Sequence, residues 1–148
     1  RASPAEQAWN LWFALPIFPY GTRQTIRKEV VPGRIWTFDQ LQGTLYVHVP
    51  VRMTVVKITD SDSGKEGLLV YCPVAPTREC LRLVRELEAE HGRVLHVVLP
   101  TLGVEHKVFA GPFARKFPAA TLWVLPDQYS FPLDLPLSWV GFFGCRVR

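Results

Sequence analysis

The residues best suited to chemistry lie in the stretch LPTLGVEHKVFAGPF, which begins at Leu99. A run of strand-like residues ends there at a Pro-Thr pair, and an acid then stands beside an imidazole, Glu105 next to His106. Carboxylates and imidazoles are zinc ligands, and an acid is also favourable in the first turn of a helix. The pair therefore indicates either the margin of a metal site or an acidic helix start that carries a histidine.

A catalytic zinc site needs three protein ligands at about 2.0 to 2.3 Å and an open position for water. Glu105 and His106 supply at most two. The remaining histidines fall elsewhere in the pattern, with His48 in a strand-like run, His91 at the end of a helix and His96 within a buried strand. We therefore predict no metal site and no cofactor.

Chemistry without a metal needs a nucleophile within reach of the pair. Glu105 and His106 are adjacent on a helix and point about 100° apart, so they do not face each other. Cys72 is the only nucleophile suggested by position, and its sequence neighbours offer no cation that would lower its pKa. We predict no catalytic residues: Glu105 serves the helix start, and His106 makes a hydrogen bond that fixes the loop after Leu99.

Length and composition fit one domain with its own core. The chain has 148 residues, of which 48% are hydrophobic and 20% charged, and no run is long enough to span a membrane. The net charge of +4 comes without a basic block or a nucleic-acid-binding motif, so we predict no nucleic-acid partner. Cys72, Cys80 and Cys145 are odd in number and widely spaced, which is typical of reduced thiols.

The first half of the domain reads as a small antiparallel sheet. Runs rich in β-branched and aromatic residues predict strands at 34–39, 43–48, 52–59 and 67–72. The turn-rich segment DSDSGKEG joins the last two of these runs, which indicates a hairpin.

The second half alternates helices with buried strands. Helical spacing predicts a helix that begins after an N-cap at Thr77 and stops at Gly92, followed by a strand at 94–99, a second helix at 105–117 and a strand at 120–125. The apolar face of the first helix comprises Cys80, Leu81, Val84 and Leu87. Strands that alternate with crossover helices specify an α/β layered fold in which the last strands are parallel to their neighbours.

Aromatic and proline-rich arms flank this domain, at residues 1–33 and 127–148 around a domain at 34–126. Two interpretations stay open. The arms cover the domain's own core, or they form an interface or a bilayer-surface anchor, because large apolar patches are seldom left to water. The interface candidates are Trp9, Trp12, Phe13, Phe18, Tyr20, Arg23, Arg27, Trp139, Phe142 and Phe143.

Two runs, GLLVYCPVAPT and VLHVVLPTLGVEHKVFAGPFARKFPAATLWV, resemble the first half of the metallo-β-lactamase superfamily. In that superfamily a strand ends in an Asp-Thr-Gly turn, and a later buried strand delivers a Thr-His-x-His-x-Asp-His metal motif at the start of a helix. The resemblance implies a partial metallo-β-lactamase-like layered fold.

The metal motif of that superfamily is largely lost here. Thr101 stands at the position of the motif's Thr, and Glu105 and His106 match its closing Asp-His pair. Leu102 and Val104 fall at or near the positions of the two other histidines. The resemblance therefore implies a degenerate site, with Glu105 and His106 as remnant positions.

A closer resemblance is to the DUF4336 family of cyanobacteria, algae and plants. It is carried by FPYGTRQTIRKEVVPGRIWTFDQLQGTLYVHVPVRMTVV, VYCPVAPTREC and GVEHKVFAGPFARKFP, and it covers roughly residues 9–140. The photosynthetic distribution of the family implies a plastid setting. A first residue other than Met is compatible with import and processing.

The leading expectation is a non-catalytic binding or scaffold component, an accessory subunit docked on a thylakoid membrane complex whose partners are protein subunits. The alternative is a metal-dependent hydrolase-like or redox enzyme of the metallo-β-lactamase superfamily whose remaining ligands lie outside this chain. A third expectation is contact with a membrane surface, in which Arg23, Arg27 and Lys28 meet anionic head groups.

Overall fold

The computed structural model describes residues 23–44, 47–128, 142 and 146–148, which form one mixed sheet and two helices. Six strands have four to thirteen residues and a seventh has two, and with the two helices they confirm the predicted mixed α/β class. The strands are β1 (Ile26–Val31), β2 (Ile35–Thr44), β3 (Val47–Thr59), β4 (Glu66–Tyr71), β5 (Val94–Leu99), β6 (Thr121–Val124) and β7 (Arg146–Val147), and the helices are α1 (Arg78–His91) and α2 (Val104–Ala114).

The strands lie in the sheet in the order in which they occur along the chain. The first four pair antiparallel, and the pairs from β4 to β7 are parallel. The predicted hairpin between β3 and β4 and the predicted parallel strands that follow it are both confirmed. Because right-handed crossovers that step in one direction put their helices on one side, α1 and α2 share a face of the sheet.

The core lies between the two helices and that face. Its largest fully buried side chains come from β2, β3 and α2, and they include Phe38, Met53 and Phe113. In β2 and β3 alternate residues point into this core, as the period of two in a half-covered sheet requires. The opposite face of the sheet is described with the candidate site below.

Helix α1 begins and ends where its sequence predicts. The hydroxyl of Thr77 accepts a hydrogen bond from the backbone N–H of Cys80 at 3.0 Å, and Gly92 ends the helix with φ 93°, a conformation that favours glycine. The buried face differs by one residue from the prediction, because Leu83 is buried and Leu81 only half-buried.

Replacing Thr77 with alanine is expected to destabilise the protein by about 1 to 2 kcal/mol, because the N–H of Cys80 loses its acceptor in a buried setting. Urea denaturation followed by circular dichroism measures this change. Thr77→Ser keeps the acceptor oxygen and should lose less than half as much stability. Equal losses of stability in Thr77→Ala and Thr77→Ser would show that the threonine methyl group, and not the capping hydrogen bond, is the source of the stabilisation.

The boundary expected at residue 33 cuts between two paired strands. All six residues of β1 are exposed, so the strand has no alternation of buried and exposed positions that its sequence could reveal. It pairs antiparallel with β2, from Ile26 opposite Asp39 to Val31 opposite Ile35. The expected C-terminal arm also contributes to the sheet, since β7 pairs with β6.

Two prolines lie inside regular elements, β3 and α2, which a proline ring usually interrupts. Strand β3 continues through Pro50, which pairs with Leu41 of β2. Strand β4 does not extend to this position, so the N–H that proline lacks is not needed for a hydrogen bond to β4. Helix α2 continues through Pro112 but ends at Ala114, three residues before the predicted end.

Candidate functional site

The carboxyl ends of β4 and β5 and the first turn of α2 meet at one edge of the sheet, which is where open α/β sheets place ligand sites. Thr101 follows β5, and its hydroxyl accepts a hydrogen bond from the N–H of Gly103 at 3.0 Å. Gly103 is the N-cap of α2, and Glu105 lies in the first turn with its carboxylate folded back over that glycine. The arrangement agrees with the interpretation of Glu105 as an acid that serves the helix start.

The imidazole of His106 makes the hydrogen bond expected for it, but with a different loop. Its Nδ1 lies 3.1 Å from the carbonyl oxygen of Pro73, which follows β4, and not against the loop after Leu99. A carbonyl can only accept, so Nδ1 carries the proton. His106 therefore ties the start of α2 to the end of the neighbouring strand.

Cys72 lies directly after β4 in a strained backbone conformation. Its φ is 54°, which is uncommon for a residue other than glycine, and its N–H donates to the carbonyl of Val98 at 2.9 Å. Partial burial raises the pKa of the Cys72 thiol, and the negative charge of Glu105 raises it further. The thiol is therefore less nucleophilic at neutral pH than an ordinary cysteine.

Glu105→Gln is expected to speed alkylation of Cys72, because removal of the carboxylate charge lowers the thiol pKa. The rate at pH 8 should rise by about two- to fivefold. Mass spectrometry of iodoacetamide adducts measures the rate in a Cys145→Ser background. Burial raises the pKa of Cys80 to about 12, so that thiol is expected to stay unmodified in the folded protein.

Glu90→Gln is the matched control. It removes the same charge as Glu105→Gln, but Glu90 lies in the last turn of α1, at the end of the helix away from Cys72. Its alkylation rate at Cys72 should equal that of the unmodified sequence. If Glu105→Gln leaves the rate unchanged, the carboxylate does not act on the thiol.

His96 takes part in a polar network that the sequence did not reveal. Its Nδ1 accepts a hydrogen bond from the indole N–H of Trp123 at 3.0 Å, and its Nε2 lies 3.1 Å from Oδ1 of Asp60. An indole N–H can only donate, so Nδ1 is unprotonated and the proton lies on Nε2, facing the carboxylate. Hydrogen bonds from Ser63 and then from His96 lower the pKa of Asp60. The three partners lie 27 and 36 residues apart along the chain.

Polar side chains are also buried close to the carboxyl edge. The amide nitrogen of Gln40 donates to Thr25 and to the carbonyl of Ala75, each at 2.9 Å, and Gln40 is 2% exposed. The ammonium of Lys107 donates to the carbonyl of Gln128 at 3.2 Å. Glutamine and lysine are usually exposed, so no sequence pattern distinguishes these two positions.

The structure describes three of the interface candidates. Arg23 is buried, with its guanidinium 5.2 Å from the ring centre of Phe109. Arg27 donates to Glu86 at 3.0 Å and is partly exposed. Phe142 packs in the core with 6% exposure. The other candidates, Trp9, Trp12, Phe13, Phe18, Tyr20, Trp139 and Phe143, lie outside the described residues.

The sheet face opposite the helices, which we call the open face, carries large apolar side chains that remain in contact with solvent. Strand register and the alternation of side chains place five exposed residues there. They are Ile26 (59% exposed), Val31 (38%), Leu41 (61%), Tyr71 (45%) and Trp123 (38%). Half-buried apolar residues fill the space between them, namely Ile35, Val56, Ile58, Leu69 and Val98.

The described residues contain neither a cluster of potential metal ligands nor a membrane-spanning helix. Within residues 23–44, 47–128, 142 and 146–148, no group of three or more His, Cys, Asp or Glu is placed to hold a metal ion. The helices in the same part of the chain are too short or too polar to span a bilayer.

Comparison with known proteins assigns the chain to a family. No curated protein matches it. A family model described as "Domain of unknown function (DUF4336)" matches residues 32–147, a span that runs from the turn after β1 to β7 and so includes both helices and the carboxyl edge. The chain therefore belongs to the DUF4336 family.

Proposed function

We propose that this protein is a non-catalytic binding or scaffold component, and the open face is the observation that carries the proposal. Soluble monomers rarely expose a contiguous apolar patch of more than a few hundred Å², and larger patches mark interaction sites. Here five large apolar side chains are 38% to 61% exposed on one side of one sheet. Aromatic residues such as Tyr71 and Trp123 are enriched at the centres of protein interfaces.

The state of the carboxyl edge supports a non-catalytic role. The Nδ1 of His106 is engaged with Pro73, and the carboxylate of Glu105 folds over Gly103. The raised pKa of Cys72 disfavours the thiolate that a cysteine nucleophile needs. His106 and Glu105 are thus held in contacts with the backbone, and Cys72 is held in its protonated form.

The concrete form of the proposal is an accessory subunit of a thylakoid membrane complex in plastids, with other protein subunits as partners. The plastid setting rests on the photosynthetic distribution implied by the family resemblance. Affinity purification of the tagged protein from chloroplasts, followed by mass spectrometry, should recover a constant set of other subunits. Recovery of the protein alone, from the soluble stroma, contradicts this form of the proposal.

The alternative is a metal-dependent hydrolase or redox enzyme related to the metallo-β-lactamases, with further ligands supplied from outside this chain. The observation in its favour is the place of His106, in the first turn of the helix that follows a buried parallel strand. Metal analysis of protein purified from its native source separates the two functions. Near-stoichiometric zinc or iron, lost in His106→Ala but retained in His91→Ala, would favour the enzyme.

A further inference from the structure

The open face differs from the edge of the sheet in how it is protected from contact. Strand β1 is the outer strand on its side, and edges of this kind invite pairing with strands of other chains. Here a bulge between Glu29 and Val31 interrupts the register of β1, and Lys28 puts a charge between the apolar Ile26 and Val30. Both are features by which proteins discourage edge-to-edge pairing.

The charges near the centre of the open face are neutralised within the chain. Arg52 donates to both oxygens of Asp39, at 2.6 and 2.9 Å, and the two residues lie directly opposite each other on β2 and β3. Asp60 lies beyond the end of β3, away from the centre, and accepts a hydrogen bond from His96 at 3.1 Å. An identical surface brought against this face therefore meets no like-charge repulsion at its centre, whereas a strongly charged partner would find no complementary charge.

The area of the open face is large enough for a specific interface between two copies of the chain. The six strands β1 to β6, about 4.8 Å apart, give a width of roughly 29 Å, and a strand of about six residues at about 3.3 Å per residue gives a length of roughly 20 Å. The projected area is thus about 600 Å² per copy, so two stacked copies bury about 1,200 Å² in total, the lower end of the range for specific interfaces. A short apolar peptide would cover only part of this area.

We infer that the open face is a self-association surface on which a second copy of this chain packs, sheet against sheet, in a two-fold symmetric dimer. The inference rests on the proposed binding role and names the partner that covers the face. Aligned sheets pack about 10 Å apart with interdigitated side chains. The product is a four-layer arrangement in which each sheet has helices outside and the partner's sheet inside. Two-fold symmetry places each exposed residue in the interface twice.

The test compares the mass of the full 148-residue chain with that of Tyr71→Lys by sedimentation equilibrium. The unmodified chain should form dimers in the micromolar range. Tyr71→Lys should raise the dissociation constant by about 100-fold or more, because two ammonium groups are buried in one interface. Leu102→Lys is the matched control, since Leu102 is 46% exposed against 45% for Tyr71 but lies in the loop before α2. It should leave the dimer intact.

Circular dichroism and the melting temperature establish that each variant is folded, and Leu41→Lys replaces Tyr71→Lys if the latter does not fold. Persistence of the dimer in both variants overturns the inference, because the contact then lies elsewhere. A strictly monomeric chain overturns it as well. If that monomer still purifies with other subunits, and loses them in Tyr71→Lys, the binding role stands and the second copy is excluded. If it purifies with none, the binding role fails too.

Discussion

Phe113→Ala is expected to lower the free energy of unfolding by about 3 to 5 kcal/mol, the range for removing a buried aromatic ring. Phe113 has no exposed surface and packs against Phe117, with 5.1 Å between the ring centres. It lies in the last turn of α2, so the cavity left by its removal opens between that helix and the parallel strands. Urea denaturation followed by circular dichroism measures the loss.

Leu102→Ala is the matched control, because Leu102 is 46% exposed and its truncation should change stability by less than about 0.5 kcal/mol. Phe113→Leu should fall between the two, since it keeps most of the buried volume. A loss below about 1 kcal/mol in Phe113→Ala would mean that α2 does not close the core as the structure shows.

Gly67→Ala is expected to destabilise the protein by about 1 to 3 kcal/mol, although it adds only one methyl group. A Cβ at this position would lie 2.5 Å from the carbonyl oxygen of Arg93 and 2.7 Å from the side chain of Leu95. The carbonyl cannot move freely, because it accepts the N–H of Leu68 at 2.9 Å in the contact between β4 and β5. Differential scanning calorimetry should show a lower melting temperature.

Gly103→Ala provides the comparison that isolates the cause. Its Cβ would meet an atom at a similar distance, 2.6 Å, but that atom is the carboxylate oxygen of Glu105, which can rotate away. Its cost should stay below about 1 kcal/mol. Equal costs at the two glycines would show that backbone crowding between β4 and β5 is not the reason for Gly67.

Signals carried by residues close in sequence predicted much of the fold. Thr77 and Gly92 bound α1 because a cap and a helix stop act on neighbouring backbone groups, and the hairpin followed from its turn residues. Strand β1 was missed because its exposed residues show no alternation, and Leu81 was preferred to Leu83 because both are apolar on adjacent parts of one helix. A choice between such residues is made by the sheet against which the helix packs.

The candidate site was predictable only in part, for the same reason. Glu105 at the start of α2 follows from local electrostatics, and a hydrogen bond from His106 was expected, yet its partner Pro73 lies 33 residues away. The contacts of His96 with Asp60 and Trp123 depend on strand register, which periodicity does not encode across a crossover. The open face likewise emerges only when six strands are aligned.

The sequential order of the strands has a consequence for how the chain acquires its structure. Each strand is added beside the one that precedes it, so no step requires a distant segment to be inserted between two strands already formed. Each pairing of neighbouring strands therefore closes only the turn or the crossover that joins them. A nascent chain leaving the ribosome can therefore form this sheet from β1 onward, because each new strand pairs with the strand that was synthesised before it.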